Sequence, residues 1–213
     1  MPTAPGNGGM TGNRGVPQRR RGRGFAIAAG FLVVLLTVRF WLLCPYRIPS
    51  SSMEPTLMGH DEATGTGGDT VVVCKAAYLL ADPQRWDVVA LHVDDPDGQG
   101  LAHPVAMVKR IVGLPNESLE IRDGAVLVDG RPMELPPSLA DVRYLRRGPH
   151  GQREVRLGPR DYFVLGDHSY LSRDSREWGP IDLDRIFGKV LAVLLPWERA
   201  AWLTSTSHAV ETD

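Results

Sequence analysis

Three hydroxyls in a row, Ser50, Ser51 and Ser52, stand between Pro49 and Pro55. Proline fixes φ and withholds a donor, and it pushes the residue before it toward an extended conformation. The stretch therefore reads as a stiff loop, neither helix nor central strand, able to aim one hydroxyl. A serine hydroxyl attacks poorly until a base takes its proton. His60, His92, His103, His150, His168 and His208 sit in no triad-like pattern, and no Gly-x-Ser-x-Gly elbow is present, which disfavours a histidine base. Lysine can replace histidine when burial lowers its pKa toward the working pH, because only the neutral amine accepts a proton. Period-two alternation over Val105 to Val112 puts Lys109 on one face with Val105, Met107 and Ile111. Two bland readings compete: a serine-rich linker, and a lysine exposed on an edge strand. Lys75, after another β-branched run, is the fallback base.

A third stretch carries Gly166-Asp167, then Asp174-Ser175-Arg176-Glu177-Trp178-Gly179. Taken alone, its Asp-Ser-Arg turn is equally well a surface salt bridge of small value. Taken in order, Ser50-x-Ser52-Met53-x-Pro55-Thr56-Leu57, Asp69 to Val73, Met107 to Pro115 and the third stretch resemble the boxes of type I signal peptidases, over residues 46–190. That resemblance implies a membrane-bound serine endopeptidase that removes N-terminal signal peptides from exported preproteins. It implies Ser52 as nucleophile, Lys109 as general base, and the Ser50 hydroxyl and Ser52 N–H as oxyanion donors. It also implies Ser172 hydrogen-bonding and orienting the lysine, an Asp174–Arg176 ion pair beside Gly166 in support, and Ile48, Pro49, Met53 and Val108 lining substrate pockets. No cofactor and no metal are expected. Two departures are plain. His168-Ser169-Tyr170-Leu171 replaces the usual Asn-Arg-Asp-Asn, and Asn116-Glu117 replaces a frequent Gly-Asp. The alternatives are a maturation peptidase of the same family serving one substrate, and an inactive membrane-tethered β-domain that binds peptides. Intact Ser50, Ser52, Lys109 and Asp174 weigh against the second.

These residues need a frame. At 213 residues the chain holds one domain plus appendages. Residues 1–24 carry five arginines and no acid, leaving 19 basic against 25 acidic residues, a formal −6, for the remainder. An acidic body is a poor nucleic-acid binder. Residues 1–24 are too poor in apolar side chains to fold. Phe25 to Cys44 is twenty residues broken only by Arg39, about 30 Å as a helix, and is expected to span a bilayer with Arg39 snorkelling beside Trp41. The run lacks a small-x-small cleavage site, so it reads as an uncleaved anchor. Cys44 and Cys74 read as two free thiols. Short β-branched runs at 69–75, 87–93, 105–112, 119–122, 125–128, 161–165 and 186–195, with Asp123-Gly124 and Asp129-Gly130 as turns, predict a mainly β, antiparallel domain, a sheet or partly open barrel. A glycine–threonine loop over 59–68, a polar turn over 94–100 and a surface excursion over 131–158 interrupt it. The expected organisation is a disordered cytoplasmic tail at 1–24, a membrane helix at 25–44, a catalytic domain at 45–198 and a C-terminal tail at 199–213. Signal peptides and the lipid bilayer are the expected partners, with no nucleic acid.

Arginines before an apolar run stay on the cytoplasmic side. Protease added to intact cells or spheroplasts should therefore digest the body after Tyr46 and spare residues 1–24. A protected body with an exposed N-terminus would reverse this orientation.

Overall fold

The computed structural model describes residues 21–60, 67–94 and 103–203. Most of the expected basic tail, the centre of the 59–68 loop, the turn over 95–100, His208 and the chain after residue 203 lie outside the described residues. The chain divides into two units, 1–39 and 40–213.

In the first unit, helix α1 (Arg21–Leu42, continuing into the second) exposes Phe25, Ile27, Phe31 and Leu32 to Leu36. Among the described residues, no helix is long and apolar enough to cross a membrane. The helix also stops short of the expected Cys44, because Pro45 cannot continue it and drives Cys44 to an extended conformation. Leu43 and Cys44 open a strand instead.

The second unit is built from antiparallel strands. In chain order they are β1 (Leu43–Arg47), β2 (Thr70–Cys74), β3 (Val88–Val93), β4 (Val105–Gly113), β5 (Ser118–Arg122), β6 (Ala125–Val128), β7 (Arg131–Pro132), β8 (Val155–Arg156), β9 (Asp161–Leu165), β10 (Ile181–Asp182), β11 (Ile186–Leu195) and β12 (Ala201–Trp202). The larger sheet runs β1-β2-β11-β3-β4-β9-β10, with β12 also on β11, and the smaller runs β7-β6-β5-β8. Neither closes. The larger ends on β10, two residues long and paired only with β9, so the partly open barrel gives way to two open sheets. Ala201 and Trp202 pair with Val193 and Ala192, which removes them from the expected tail.

Three buried clusters hold the unit. β3 is apolar on both faces, as a strand covered on both sides must be. Its Val88 and Ala90 pack with Ile48, Met53, Leu57 and Val108, while Val89 and Leu91 pack with Ile111, Tyr162 and Val164. The third cluster joins the smaller sheet, through Leu119, Ile121 and Val126, to Val112 and Phe163. The β5–β6 hairpin turns on Asp123 and Gly124, both at positive φ (51° and 82°), the geometry a two-residue link needs. Cys44 and Cys74 are free thiols on adjoining strands.

The 131–158 stretch is more than a surface excursion. It contributes β7, a 3₁₀ turn over Pro137–Leu139, the short helix α2 (Gly148–Gly151) and β8. Leu139 and Tyr144 are fully buried, and Tyr144 and Val155 join the cluster under the smaller sheet. Its apolar residues follow no period of two or 3.6, and arginines and prolines between them hide the burial. Leu139→Ala should cost about 2–5 kcal/mol of stability, the range for truncating a buried leucine. Chemical denaturation measures it, and a cost under about 1 kcal/mol would return the stretch to the periphery.

Candidate active site

The serine stretch leaves β1 through Ile48, whose N–H donates to Asp69 O at 2.8 Å. Ser50 is extended (φ −141°, ψ 156°), and Ser51–Met53 then form a single 3₁₀ turn where an irregular loop is expected. Burial of Met53 and Leu57 in the first cluster offsets the cost of tightening the chain there. The turn holds Ser52 nearly buried, at 8 % exposure.

Lys109 comes to it from β4. Its Nζ lies 2.8 Å from Ser52 Oγ and 3.0 Å from Val108 O, and the side chain is 3 % exposed. Desolvation pushes the amine from its ordinary 10.5 down to about 8. Asp174 and Asp167 pull it back up, and Arg176 adds to the lowering. Lys75, the fallback, is exposed beyond β2. The Ser50 hydroxyl lies 3.2 Å from Ser52 Oγ, within reach of the reacting atom.

Two buried ion pairs flank the dyad. Asp174 and Arg176 form a forked pair, Nε to Oδ1 and Nη2 to Oδ2 both at 2.7 Å, with neither side chain exposed. The surface reading of this turn is thereby corrected. Asp174 Oδ2 also accepts the Gly166 N–H at 3.0 Å, and Asp174 caps the short helix α3 (Ser175–Trp178). The second pair was not foreseen. Arg110 donates to both oxygens of Asp167, at 2.8 and 2.7 Å, and also to Thr56 Oγ1 and Trp86 O. It ties the lysine strand to both other segments. Its only sequence signal was position, each partner lying next to a residue already singled out.

Gly166 is required by close approach. A methyl there would meet Ser172 Oγ at 2.1 Å and Ser52 O at 2.4 Å. Ser172 is fully buried, but its hydroxyl has no hydrogen-bond partner among the described residues, so the expected bond to Lys109 is not made. The His168 N–H instead donates to Ser52 O at 3.1 Å and fixes the turn from that side. The other departure has a simple reason. Asn116 sits at φ 68°, where asparagine is among the best-tolerated side chains after glycine, and Glu117 accepts from Leu114 N–H at 2.7 Å and pairs with Arg85.

A cleft of about 310 Å³ opens over the pair, with Ile48, Pro49, Met53 and Val108 in its wall. Val105 to Met107, Leu171 and Arg173 complete it and were not foreseen. β9 pairs with β4 only from Arg110 to Gly113, whereas β3 pairs with it from Val105 to Arg110. On the side away from β3, no strand among the described residues pairs with Val105 to Lys109. A buried serine, a buried amine of lowered pKa and a strand edge on which only Tyr46 Oη (to Ala106 O, 3.1 Å) and Lys109 Nζ (to Val108 O) are seen among the described residues can together bind an extended peptide and attack its carbonyl. Among the described residues, no group of three or more His, Cys, Asp or Glu could hold a metal.

The family described as "Signal peptidase, peptidase S26" matches residues 22–197. A probable signal peptidase I-1 of Synechocystis sp. is 33% identical over 175 residues, 82% of each chain. Signal peptidase IB of Staphylococcus aureus is 27% identical over 177 residues, 78% of this chain and 84% of that one. A crystal structure of a signal peptidase I from Enterococcus faecalis V583 superposes with a TM-score of 0.41 at 27% identity, covering 54% of this chain and 97% of that one.

Because the neutral amine is the form that accepts a proton, turnover should rise with pH along a limb of apparent pKa about 8. A pH–rate profile of kcat/KM measures it. A limb at the ordinary lysine value would show that Lys109 is not desolvated in the working enzyme.

Proposed function

The chain belongs to the signal peptidase family, peptidase S26, and we propose that it removes N-terminal signal peptides from exported preproteins with Ser52 as nucleophile and Lys109 as general base. The observation that carries this reading is the 2.8 Å contact between a buried hydroxyl and a buried amine held near pKa 8. Neutral Lys109 takes the proton as Ser52 Oγ attacks the scissile carbonyl. The Ser50 hydroxyl and the Ser52 N–H hold the oxyanion. The resulting ammonium protonates the leaving amine, which departs as the mature N-terminus. A water then attacks the ester, its proton passing to Lys109 and on to Ser52 Oγ. The Asp174–Arg176 pair, with Gly166 and Ser172, keeps the lysine strand and the serine turn in register.

The substrate is read by strand addition along Val105 to Lys109, backbone bonds giving affinity and alternate side chains entering pockets. Ile48, Pro49, Met53 and Val108 leave little room in those pockets, so small residues are required at the first and third positions before the cut. The exposed apolar side chains of α1 suit a lipid surrounding better than water. We place the enzyme in the cell membrane, single-pass, with its N-terminus cytoplasmic and its catalytic unit outside.

Ser52→Ala and Lys109→Met should each reduce cleavage of a preprotein in detergent at least about a thousand-fold, while leaving the circular dichroism unchanged. Mass spectrometry of the cut sites, with Ala, Ser and Leu exchanged at the two small positions, completes the test. Substantial turnover in Lys109→Met would move the base elsewhere, and equal cutting after Leu and Ala would remove the pockets.

A further inference from the structure

The segment in which this chain departs from its family, His168 to Leu171, is held in a way the family pattern does not describe. Ser169 stands where the family usually has arginine, and it is 8 % exposed. Its Oγ accepts two N–H groups, from Leu145 backbone and from Arg176 Nη1, each at 2.8 Å. Its carbonyl accepts Arg176 Nη2 at 2.9 Å. A guanidinium reaches the same loop from another segment: Arg147 donates to Tyr170 O at 2.5 Å and to Ser172 O, and pairs with Glu177 at 3.0 Å. Leu145 and Arg147 both belong to the 131–158 stretch.

The loop so held touches the nucleophile. The His168 N–H donates to Ser52 O, while the His168 carbonyl accepts from Ser172 N–H at 3.0 Å. The Ser172 side chain closes on Gly166, which lies against the Ser52 carbonyl. Ser169 thus holds Arg176 by Nη1 and by one hydrogen of Nη2, while Nε and the same Nη2 donate to Asp174. We propose that Ser169 and Arg147, neither of which touches the reacting atoms, are positioning residues of the reaction, fixing the 168–173 loop that locates Ser52 and holds Arg176 on Asp174. The 131–158 stretch thereby acquires a part in catalysis as well as in the core. This inference rests on the Ser52–Lys109 reading above.

The test uses the purified full chain and a preprotein substrate, with Ser169→Ala, Ser169→Thr and Arg147→Met compared with the unaltered enzyme for kcat, KM, thermal midpoint and pH profile. Ser169→Ala and Arg147→Met should lower kcat about ten-fold or more at nearly constant KM, the signature of misplaced catalytic groups. Ser169→Thr keeps the accepting oxygen and should recover most of the rate. The charged groups acting on Lys109 are Asp174, Asp167 and Arg176. Loosening Arg176 weakens the one of these three that lowers its pKa, so the rate limb of Ser169→Ala should move to higher pH. A lowered thermal midpoint with kcat per folded molecule and pH limb unchanged would overturn the proposal. So would a loss confined to KM, or a threonine variant no better than alanine. If Ser169→Ala does not fold, Arg147→Met decides by the same split of kcat and KM. An unaltered enzyme that folds but cuts nothing would instead defeat the Ser52–Lys109 reading.

Discussion

Removing one lysine amine from water is the constraint on which this molecule turns. At about 8 against an ordinary 10.5, the site as a whole, burial first and its charged neighbours partly offsetting it, disfavours the ammonium form of Lys109 by about 3 kcal/mol. The cost has a direction in pH. Between those two values the unfolded chain binds the proton that the folded chain has released, so folding gains stability as pH rises through that window and loses it as pH falls through about 8. A protein of ordinary stability can carry such a cost at one site, provided the surrounding groups stay fixed. Asp174 and Asp167 oppose the lowering and Arg176 assists it, and both carboxylates are themselves locked to arginines. Breaking either pair would leave a buried charge without compensation, a far larger penalty than the pair's own net worth.

The pairs also do mechanical work. Arg110 follows Lys109 in the same strand, so the grip of Arg110 on Asp167 and Thr56 sets the height at which Lys109 meets the serine turn. Three segments far apart in sequence are thus pinned within a few ångströms of one another by side-chain contacts. Backbone crowding adds to this: Ser52 O, Gly166 and the Ser172 side chain are in such close contact that no Cβ fits at 166.

Much of this was legible in the residues. β2, β3, β4, β9 and β11 follow their β-branched runs, and the Asp123-Gly124 turn falls where the dipeptide signals it. Ser52, Lys109, Asp174 and Arg176 come together because they lie in motifs whose spacing is specific. What stayed hidden has physical reasons. The buried status of Arg110 and Asp167 depends on two strands meeting, which no local pattern encodes. Leu139 and Tyr144 reach the core from a stretch rich in arginine and proline that mimics a surface loop. The Ser172 hydroxyl, expected on the lysine, lies against Gly166 instead, a placement no local pattern encodes. Pro45 ends the apolar helix two residues earlier than hydropathy suggests.

The open margin of β4 carries a liability of its own. Sheets ordinarily guard such margins with charged side chains, prolines or bulges, because unsatisfied backbone groups invite another chain to dock. From Val105 to Val108 there is no charge and no proline, and any such guard would also turn away an extended peptide approaching the cleft. Receptivity and stickiness are here the same property.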